Sequence, residues 1–285
     1  MKISSACIPC LARQLIEISE ESTQSLADEQ KIIKAGLKIL GSLEFNQTAP
    51  EIAYEIHQVA KKITQIQDPY KNLKKEYNLI AQKIYDRIIE EKWMEKAEDK
   101  FDLACRLAIA GNIIDFSVCL NLTEKEILDS VEKSIETPLW GKGTQSLQKA
   151  ILSANQILFI ADNAGEIIFD KFLLDQLPLE KVIFAVKGQA IVNDATLEDA
   201  QVAGITKKVK VIDNGFGAQG TILSQCSESF LNYFERADLI ISKGQANYET
   251  LSDRQDKNIF YLMRAKCSVI ANSLGCQPMD YVLTC

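Results

Sequence analysis

Asp162 and Asn163 could do chemistry because they directly follow the short apolar run at 157–161. A short apolar run that ends at a turn signal is typical of an interior strand of a parallel sheet, and the loop at its carboxyl end is where open α/β sheets bind ligands. The two side chains could therefore bind a metal ion or a substrate. They could equally cap the following helix, since short polar side chains accept hydrogen bonds from the first N–H groups of a helix.

Asp194 is a further candidate ligand. Together, Asp162, Asn163 and Asp194 offer only oxygen atoms, which are hard donors suited to Mg²⁺ or Mn²⁺ rather than to zinc. Two carboxylates and one amide would leave coordination positions for water and for a phosphate oxygen. The residues alone nevertheless favour Asp194 as the N-cap of a helix through Leu197 and Ala200.

Lys243 and the residues after it could bind phosphate. The lysine follows an apolar strand pattern, Gly244 would let backbone N–H groups approach an anion, and Asn247 lies where the next helix could begin. Lys187, followed by Gly188, is a weaker copy of this arrangement. The alternative for Lys243 is a surface lysine whose stem lies along apolar neighbours.

Polar residues also interrupt the apolar helical pattern at 101–116, namely Arg106, Gly111, Asn112 and Asp115. A glycine inside a helix costs about 1 kcal/mol against alanine, so Gly111 indicates close packing or the approach of a ligand. Arg106 and Asn112 are candidate substrate contacts, although a packing glycine near a capped helix end explains the pattern at least as well.

The elements that must position these residues are predicted from about residue 155 onwards. Strands are expected at 157–161, 182–186, 209–212, 239–242 and 259–263, with a further strand suggested at 269–271. This spacing is typical of an α/β fold with a doubly wound, mostly parallel sheet and helices on both faces. Because parallel strands end at one edge, the polar residues after the first four strands should meet in a single crevice.

Residues 8–155 carry a helical periodicity instead. We therefore expect an all-helical region at 1–145 and an α/β domain that binds metal and phosphate at 146–285, with the helix-breaking residues 138–143 between them. His57 is the only histidine and is expected at the surface or boundary of a helix. Catalysis by histidine and a His-rich zinc site are therefore close to excluded.

Composition excludes several classes of protein. The 285 residues are 47% hydrophobic and carry a net charge of −7, and without a stripe of lysine or arginine a nucleic-acid partner is not expected. No stretch approaches the roughly 18 apolar residues that span a bilayer, and the start lacks the apolar segment of a signal peptide. We expect a cytoplasmic protein with no membrane partner.

Cys7 and Cys10 form the one close pair among eight cysteines. A Cys-x-x-Cys could be half of a zinc or iron–sulfur site, but no second pair with matching spacing follows. The favoured interpretation is a buried pair at the start of the first helix.

Three of these segments resemble the signatures of the metal-dependent damage-control phosphatases, in their stand-alone prokaryotic form. They are 162–166 (Asp-Asn-Ala-Gly-Glu), 193–196 (Asn-Asp-Ala-Thr) and 243–247 (Lys-Gly-Gln-Ala-Asn), and the 101–116 segment resembles the family's Ala-Gly-Asn-x-x-Asp stretch. The resemblance begins at Cys7 and spans nearly the whole chain. The family was formerly a domain of unknown function, and one eukaryotic branch is named for a proposed acidic-residue methyltransferase.

The resemblance implies that Asp162, Asn163 and Asp194 hold a divalent ion, which could be Mg²⁺, Mn²⁺, Co²⁺ or Ni²⁺. It also implies that Lys243 and Gly244 bind the phosphate of a small phosphorylated metabolite such as a sugar phosphate. We expect hydrolysis of a phosphomonoester with Asp162 and Lys243 as catalytic residues. Water is the expected nucleophile, since phosphatases with an aspartate nucleophile commonly carry a second aspartate where this chain has Ala164.

Two other functions stay open. An S-adenosylmethionine-dependent carboxyl methyltransferase usually carries a glycine-rich loop after its first strand and an acid after its second, whereas this chain has Asp162 and then Lys187 at those places. A non-catalytic protein that senses a phosphorylated metabolite would use the same crevice.

Overall fold

The computed structural model describes residues 1–113 and 124–285, so Asp115 lies outside the described residues. The α-helices are α1 (Ile8–Ser22), α2 (Leu26–Gly41), α3 (Ala49–Thr64), α4 (Lys71–Glu90), α5 (Trp93–Lys96), α6 (Lys100–Ala110), α7 (Glu124–Glu136), α8 (Thr144–Ser153), α9 (Glu166–Leu174), α10 (Leu197–Val202), α11 (Glu228–Arg236), α12 (Gln245–Leu251) and α13 (Ser268–Leu274). The strands are β1 (Leu139–Gly141), β2 (Ile157–Ile160), β3 (Val182–Val186), β4 (Lys210–Asp213), β5 (Leu239–Lys243), β6 (Ile259–Arg264) and β7 (Tyr281–Thr284).

The strands form one sheet in the order β1-β7-β6-β5-β2-β3-β4. Every neighbouring pair is parallel except β6 and β7. From β2 the chain winds outwards through β3 and β4, and it then returns to the other side of β2 to place β5 and β6. The predicted doubly wound, mostly parallel sheet is confirmed, and its switch point lies between β2 and β5, where such sheets bind ligands.

Five predicted strands are found within about two residues of their expected positions, but the strand suggested at 269–271 is wrong. These residues lie in α13, which ends at Gly275 in a left-handed conformation (φ 74°). Three apolar residues are too few to distinguish the period of a strand from that of a helix. Sequence reasoning missed β1 and β7. The strand β1 was missed because it is an edge strand of only three residues inside the stretch that we interpreted as a helix breaker.

Helix α9 connects the sheet to the N-terminal helices. All nine of its residues are buried, because β2 and β3 lie on one side of it and α4 and α6 pack on the other. Its apolar residues surround the helix and suit such a position, and its buried Glu166 and Asp170 are paired with Lys243. The N-terminal helices therefore share a hydrophobic core with the sheet, and α1 and α3 extend this packing onto Ile191 and Val192 in the loop after β3.

Two expectations about single residues are wrong. His57 is only 1% exposed, since it lies beside Ile56 on the face of α3 that packs into the core, and burial lowers its pKa to about 3. Cys7 and Cys10 do mark the start of α1, but Cys7 is half-buried and Cys10 is exposed.

No helix in the described ranges combines the length and the apolar character that crossing a bilayer requires.

Candidate active site

The loops after β2 and β3 are joined by backbone hydrogen bonds, which places the three predicted metal ligands side by side. Ala164 N–H donates to the carbonyl of Asn193 and Ala195 N–H donates to the carbonyl of Asp162, each over 2.8 Å. Asn163 and Asp194 form an isolated bridge between the two loops. The side chains of these ligands lie at the carboxyl edge of the sheet and are nearly excluded from solvent.

Two amides hold Asp162 and Glu166 together. The Nδ2 of Asn163 donates to Asp162 Oδ2 and to Glu166 Oε2, both over 2.9 Å. Asn112, just after the end of α6, makes the same two contacts over 3.1 and 2.8 Å. Its Oδ1 has no hydrogen-bond partner within the described residues, so the predicted site residue Asn112 carries an acceptor that a ligand could use.

Lys243 lies at the end of β5, and its ammonium group is completely buried. It donates to Glu166 Oε1 and Asp170 Oδ1 over 2.6 Å each, and to the carbonyl of Ala108 over 2.9 Å. Burial alone would lower the pKa of Lys243, but the contacts with Asp170 and Glu166 outweigh it and raise the pKa. All three N–H donors of Lys243, the lysine predicted to bind phosphate, therefore donate to groups of the protein itself.

Lys187 lies at the end of β3 and is also buried. Its Nζ is 3.4 Å from Asp194 Oδ2 and donates to the carbonyl of Gly220. Gly188 N–H donates to Asn214 Oδ1 over 3.0 Å, which brings the loop after β4 to the same edge. The polar residues after the first four predicted strands therefore meet at one edge of the sheet, as expected, and most of them are buried there.

The buried carboxylates at this edge of the sheet outnumber the buried lysines that contact them. Asp162, Glu166, Asp170 and Asp194 are each at most 5% exposed, and the buried ammonium groups that contact them are those of Lys187 and Lys243. Burial raises the pKa of Asp162 well above its usual value, and the nearby Glu166 and Asp194 raise it further. A divalent cation would offset this excess of negative charge.

The donor set fits such an ion. Asp162, Asn163 and Asp194 present carboxylate and amide oxygens, which Mg²⁺ and Mn²⁺ prefer. Within the described ranges no three His, Cys, Asp or Glu side chains are arranged to hold a metal by themselves. An ion here would therefore depend on the amide oxygen and on water as well as on the two carboxylates.

Gly244 is required by the carboxylate of Asp162. The residue has a φ of 78°, and a Cβ placed on it would lie 1.9 Å from Asp162 Oδ2. Only glycine lets the backbone after β5 pass so close to a candidate ligand without strain or collision.

Asn247 and Arg106 contact other parts of the protein. Asn247 donates to the carbonyls of Ala161 (3.2 Å) and Lys243 (2.8 Å) and accepts from Thr221 Oγ1 over 2.7 Å. It thus ties the ends of β2 and β5 together. Arg106 binds Asp102 over 2.5 Å and the carbonyl of Thr137. Among the described residues it has no hydrogen bond to the cluster, and its role in binding substrate stays a prediction.

Three residues that sequence reasoning did not select belong to the site. Glu166 and Asp170 are four residues apart on α9 and both bind Lys243, and two acids on an otherwise apolar helix were the available signal. Lys266 follows β6, is half-buried, and lies close enough to Asp162 to oppose part of the rise in the pKa of that carboxyl. The rule that selected Lys187 and Lys243, a basic residue after a strand, would have found Lys266 if applied to β6.

Comparisons with known proteins show which family this chain resembles. Residues 3–282 match the model of the damage-control phosphatase ARMT1-like domain. An uncharacterized protein of Methanocaldococcus jannaschii is 37% identical over 99% of this chain and 95% of its own length. A damage-control phosphatase of Pyrococcus horikoshii is 36% identical over 96% of this chain and 94% of its own length.

A damage-control phosphatase of Archaeoglobus fulgidus is 31% identical, covering 99% of this chain and 98% of its own. The crystal structure of a DUF89 family protein from Pyrococcus horikoshii superimposes with a TM-score of 0.90 at 34% identity, over 99% of this chain and 98% of that one. With one family model over nearly the entire sequence and a matching fold, the chain belongs to the damage-control phosphatase ARMT1-like family.

Proposed function

We propose that this protein is a divalent-metal-dependent phosphatase that hydrolyses small phosphorylated metabolites, such as sugar phosphates or their damaged derivatives. A phosphatase activity agrees with the family and with two relatives named damage-control phosphatase. The observation that carries the metal dependence is the direct pairing of the two loops that bear Asp162, Asn163 and Asp194. These are oxygen donors in a cluster with an excess of buried carboxylates.

In this proposal Asp162, Asn163 and Asp194 hold the ion. A bound divalent ion would neutralise phosphate charge and lower the pKa of a water molecule. The chain itself orients the ligands, since Asn112 and Asn163 both donate to Asp162 and Glu166 and so fix the direction of these carboxylates. Groups held in place before the reaction need no reorganisation during it, which is how enzymes stabilise charged transition states.

The lysines have different roles in the proposal. Lys243 holds Glu166 and Asp170 on α9, and for it to contact phosphate it would have to leave one of these acids. Lys266 and Lys187 lie on the side of Asp162 and Asp194 and would supply positive charge to the phosphate oxygens. Lys243 and Gly244 at the end of β5 would then act by shaping the backbone against which the Asp162 carboxylate lies.

The test is hydrolysis of a generic phosphomonoester by chelator-treated protein, with each divalent ion added back. Activity should be absent without metal and return with at least one of Mg²⁺, Mn²⁺, Co²⁺ and Ni²⁺. Asp162→Ala and Asp194→Ala should each lower kcat by about a hundredfold or more, as expected when a group that stabilises transition-state charge is lost.

Asp175→Ala is the matched control, because Asp175 is an exposed carboxylate at the other end of α9 that pairs with Lys208. This variant should keep wild-type activity. Full metal-restored activity in Asp162→Ala would refute the assignment of the site, and activity that survives complete removal of metal would refute the metal dependence.

A further inference from the structure

Asn78 on α4 lies outside the motifs and connects the two loops that bear the proposed metal ligands. Its side chain is 4% exposed. The Oδ1 accepts the N–H of Gly165 over 2.6 Å, and the Nδ2 donates to Asp199 Oδ1 over 2.9 Å. One amide thus reaches two segments that are far apart in the sequence.

The first of these segments is the loop after β2. Gly165 follows Asp162 and Asn163 by two to three residues and is the N-cap of α9, with a φ of 75° and no side chain that could cap its own helix. The hydrogen bond from Gly165 N–H to Asn78 therefore fixes where the loop ends and the helix begins.

The second segment is the loop after β3. Asp199 closes the capping box of α10 by accepting from Thr196 N–H over 2.9 Å and from Thr196 Oγ1 over 2.7 Å. Thr196 is two residues beyond Asp194, so the position of Asp199 sets the position of the chain just after this ligand. The carboxylate of Asp199 is also 3.9 Å from Lys74, which is paired over 2.7 Å with Asp68.

Asn78 suits this place because it must accept on one side and donate on the other. An aspartate would bring a second carboxylate against Asp199, and an alanine would leave the Gly165 N–H and one oxygen of Asp199 without a partner in a buried region. The chemistry of the two neighbours thus selects an amide.

We propose that Asn78 is a positioning residue that fixes the separation of Asp162 and Asn163 from Asp194 and thereby sets the affinity for the divalent ion. This inference rests on the proposed metal site. Residues that orient metal ligands without touching the metal typically change its affinity ten- to a hundredfold when they are replaced. Asn78 acts one step further out, through the backbone of both loops.

The experiment measures the dissociation constant of Mn²⁺ on chelator-treated protein by electron paramagnetic resonance of the free ion. Asn78→Ala, Asn78→Asp and Asp199→Asn should each weaken binding about tenfold or more. The double variant N78D/D199N exchanges the two groups. The carboxylate then at position 78 could accept from Gly165 N–H and from the new amide at position 199, and the oxygen of that amide could still cap Thr196. Binding should therefore return to within about threefold of wild type.

Asp238→Ala is the control for a general loss of stability. Asp238 is exposed and accepts the N–H groups of Asn155 and Gln156 before β2, so its loss should lower Tm and leave the Mn²⁺ affinity unchanged. Asn78 variants that bind Mn²⁺ as wild type does would overturn the inference, as would a folded double variant no better than the singles. If the double variant does not fold, the Mn²⁺ affinity of Asn78→Ala is compared with that of Asp238→Ala, and equal affinities would overturn the inference. Failure of wild type to bind any Mn²⁺ would instead refute the metal site itself.

Discussion

Gly244 shows how one missing side chain can shape the proposed metal site. Its backbone lies against the carboxylate of Asp162, with a positive φ of 78°. Gly204 has a similar φ of 77°, but a Cβ there would have nothing within 4 Å. The two glycines therefore separate the effect of backbone strain from the effect of contact with Asp162, a proposed metal ligand.

We predict that Gly244→Ala abolishes metal binding, whereas Gly204→Ala retains it. Backbone strain at positive φ should cost both variants about 1–2 kcal/mol of stability, and Gly244→Ala should lose more because its methyl group also collides with Asp162. Only at Gly244 must the new methyl group displace Asp162. Chemical denaturation and Mn²⁺ titration of both variants measure the two effects, and metal binding by Gly244→Ala with wild-type affinity would contradict the prediction.

At the scale of the element, α9 bears two acidic side chains, Glu166 and Asp170, that are buried in a hydrophobic core. Burial raises the pKa of Asp170 to about 7, even though Lys243 opposes this shift. The unfolded chain would ionise Asp170 near a pKa of about 3.9, so between roughly pH 4 and pH 7 the native state binds more protons than the unfolded state. The contribution of this carboxyl to stability is therefore full below about pH 4 and is lost as the pH rises towards 7.

We predict that Asp170→Asn flattens the dependence of stability on pH in this window. The wild-type free energy of unfolding should fall from about pH 4 to pH 7 relative to that of the variant, because the native state loses the proton that the raised pKa of Asp170 retains. Urea denaturation of both proteins at several pH values gives this difference. A difference between them that stays constant across the window would show that Asp170 titrates normally.

Replacing Lys243 should be more harmful than replacing either acid. Lys243→Met leaves Glu166 and Asp170 facing each other without a cation in a fully buried space, and breaking a buried ion pair by removing one partner costs about 3–5 kcal/mol. Urea denaturation should show this loss, and the second substitution in K243M/D170N should recover part of it. A double variant less stable than Lys243→Met would contradict this account.

Sequence reasoning predicted the strand ends well and the connections between side chains poorly. Asp162, Asn163, Lys187 and Lys243 could be placed together because polar residues at the ends of parallel strands must meet at one edge, whereas Asp194 was grouped with them through the resemblance to the family. The partners of Lys243 could not be predicted, because they depend on which face of α9 packs against β5. Asn78 gives no signal in the sequence, since one amide on a long helix is ordinary and its meaning arises only from the two loops that it contacts.

At the scale of the whole molecule, the later helices of the N-terminal region share a hydrophobic core with the α/β region. Residues of α6, such as Ala104 and Leu107, belong to the same hydrophobic cluster as Phe169 on α9 and Phe159 on β2. A boundary near residue 145 therefore separates a helical sequence pattern from a pattern of alternating strands and helices, while the hydrophobic packing continues across it.

We predict that the chain unfolds as one cooperative unit. Trp93 lies in α5 and Trp140 lies on β1 at the edge of the sheet, so the fluorescence of a Trp140→Phe variant reports on the helical region alone, while far-ultraviolet circular dichroism reports on all helices and strands. The two signals should give the same midpoint in urea, as in a two-state transition. Fluorescence that changes at clearly lower urea than circular dichroism would show that the helical region unfolds by itself.

The position of β7 has a consequence for synthesis of the protein. This strand lies between β1 and β6, so β1, which is made near the middle of the chain, has no partner in the sheet until residues 281–284 have left the ribosome. Contacts between residues so distant in sequence form slowly. The nascent chain therefore contains β1 as an unpaired strand throughout the second half of its translation. A chaperone that binds extended segments could bind the residues around β1 during this time.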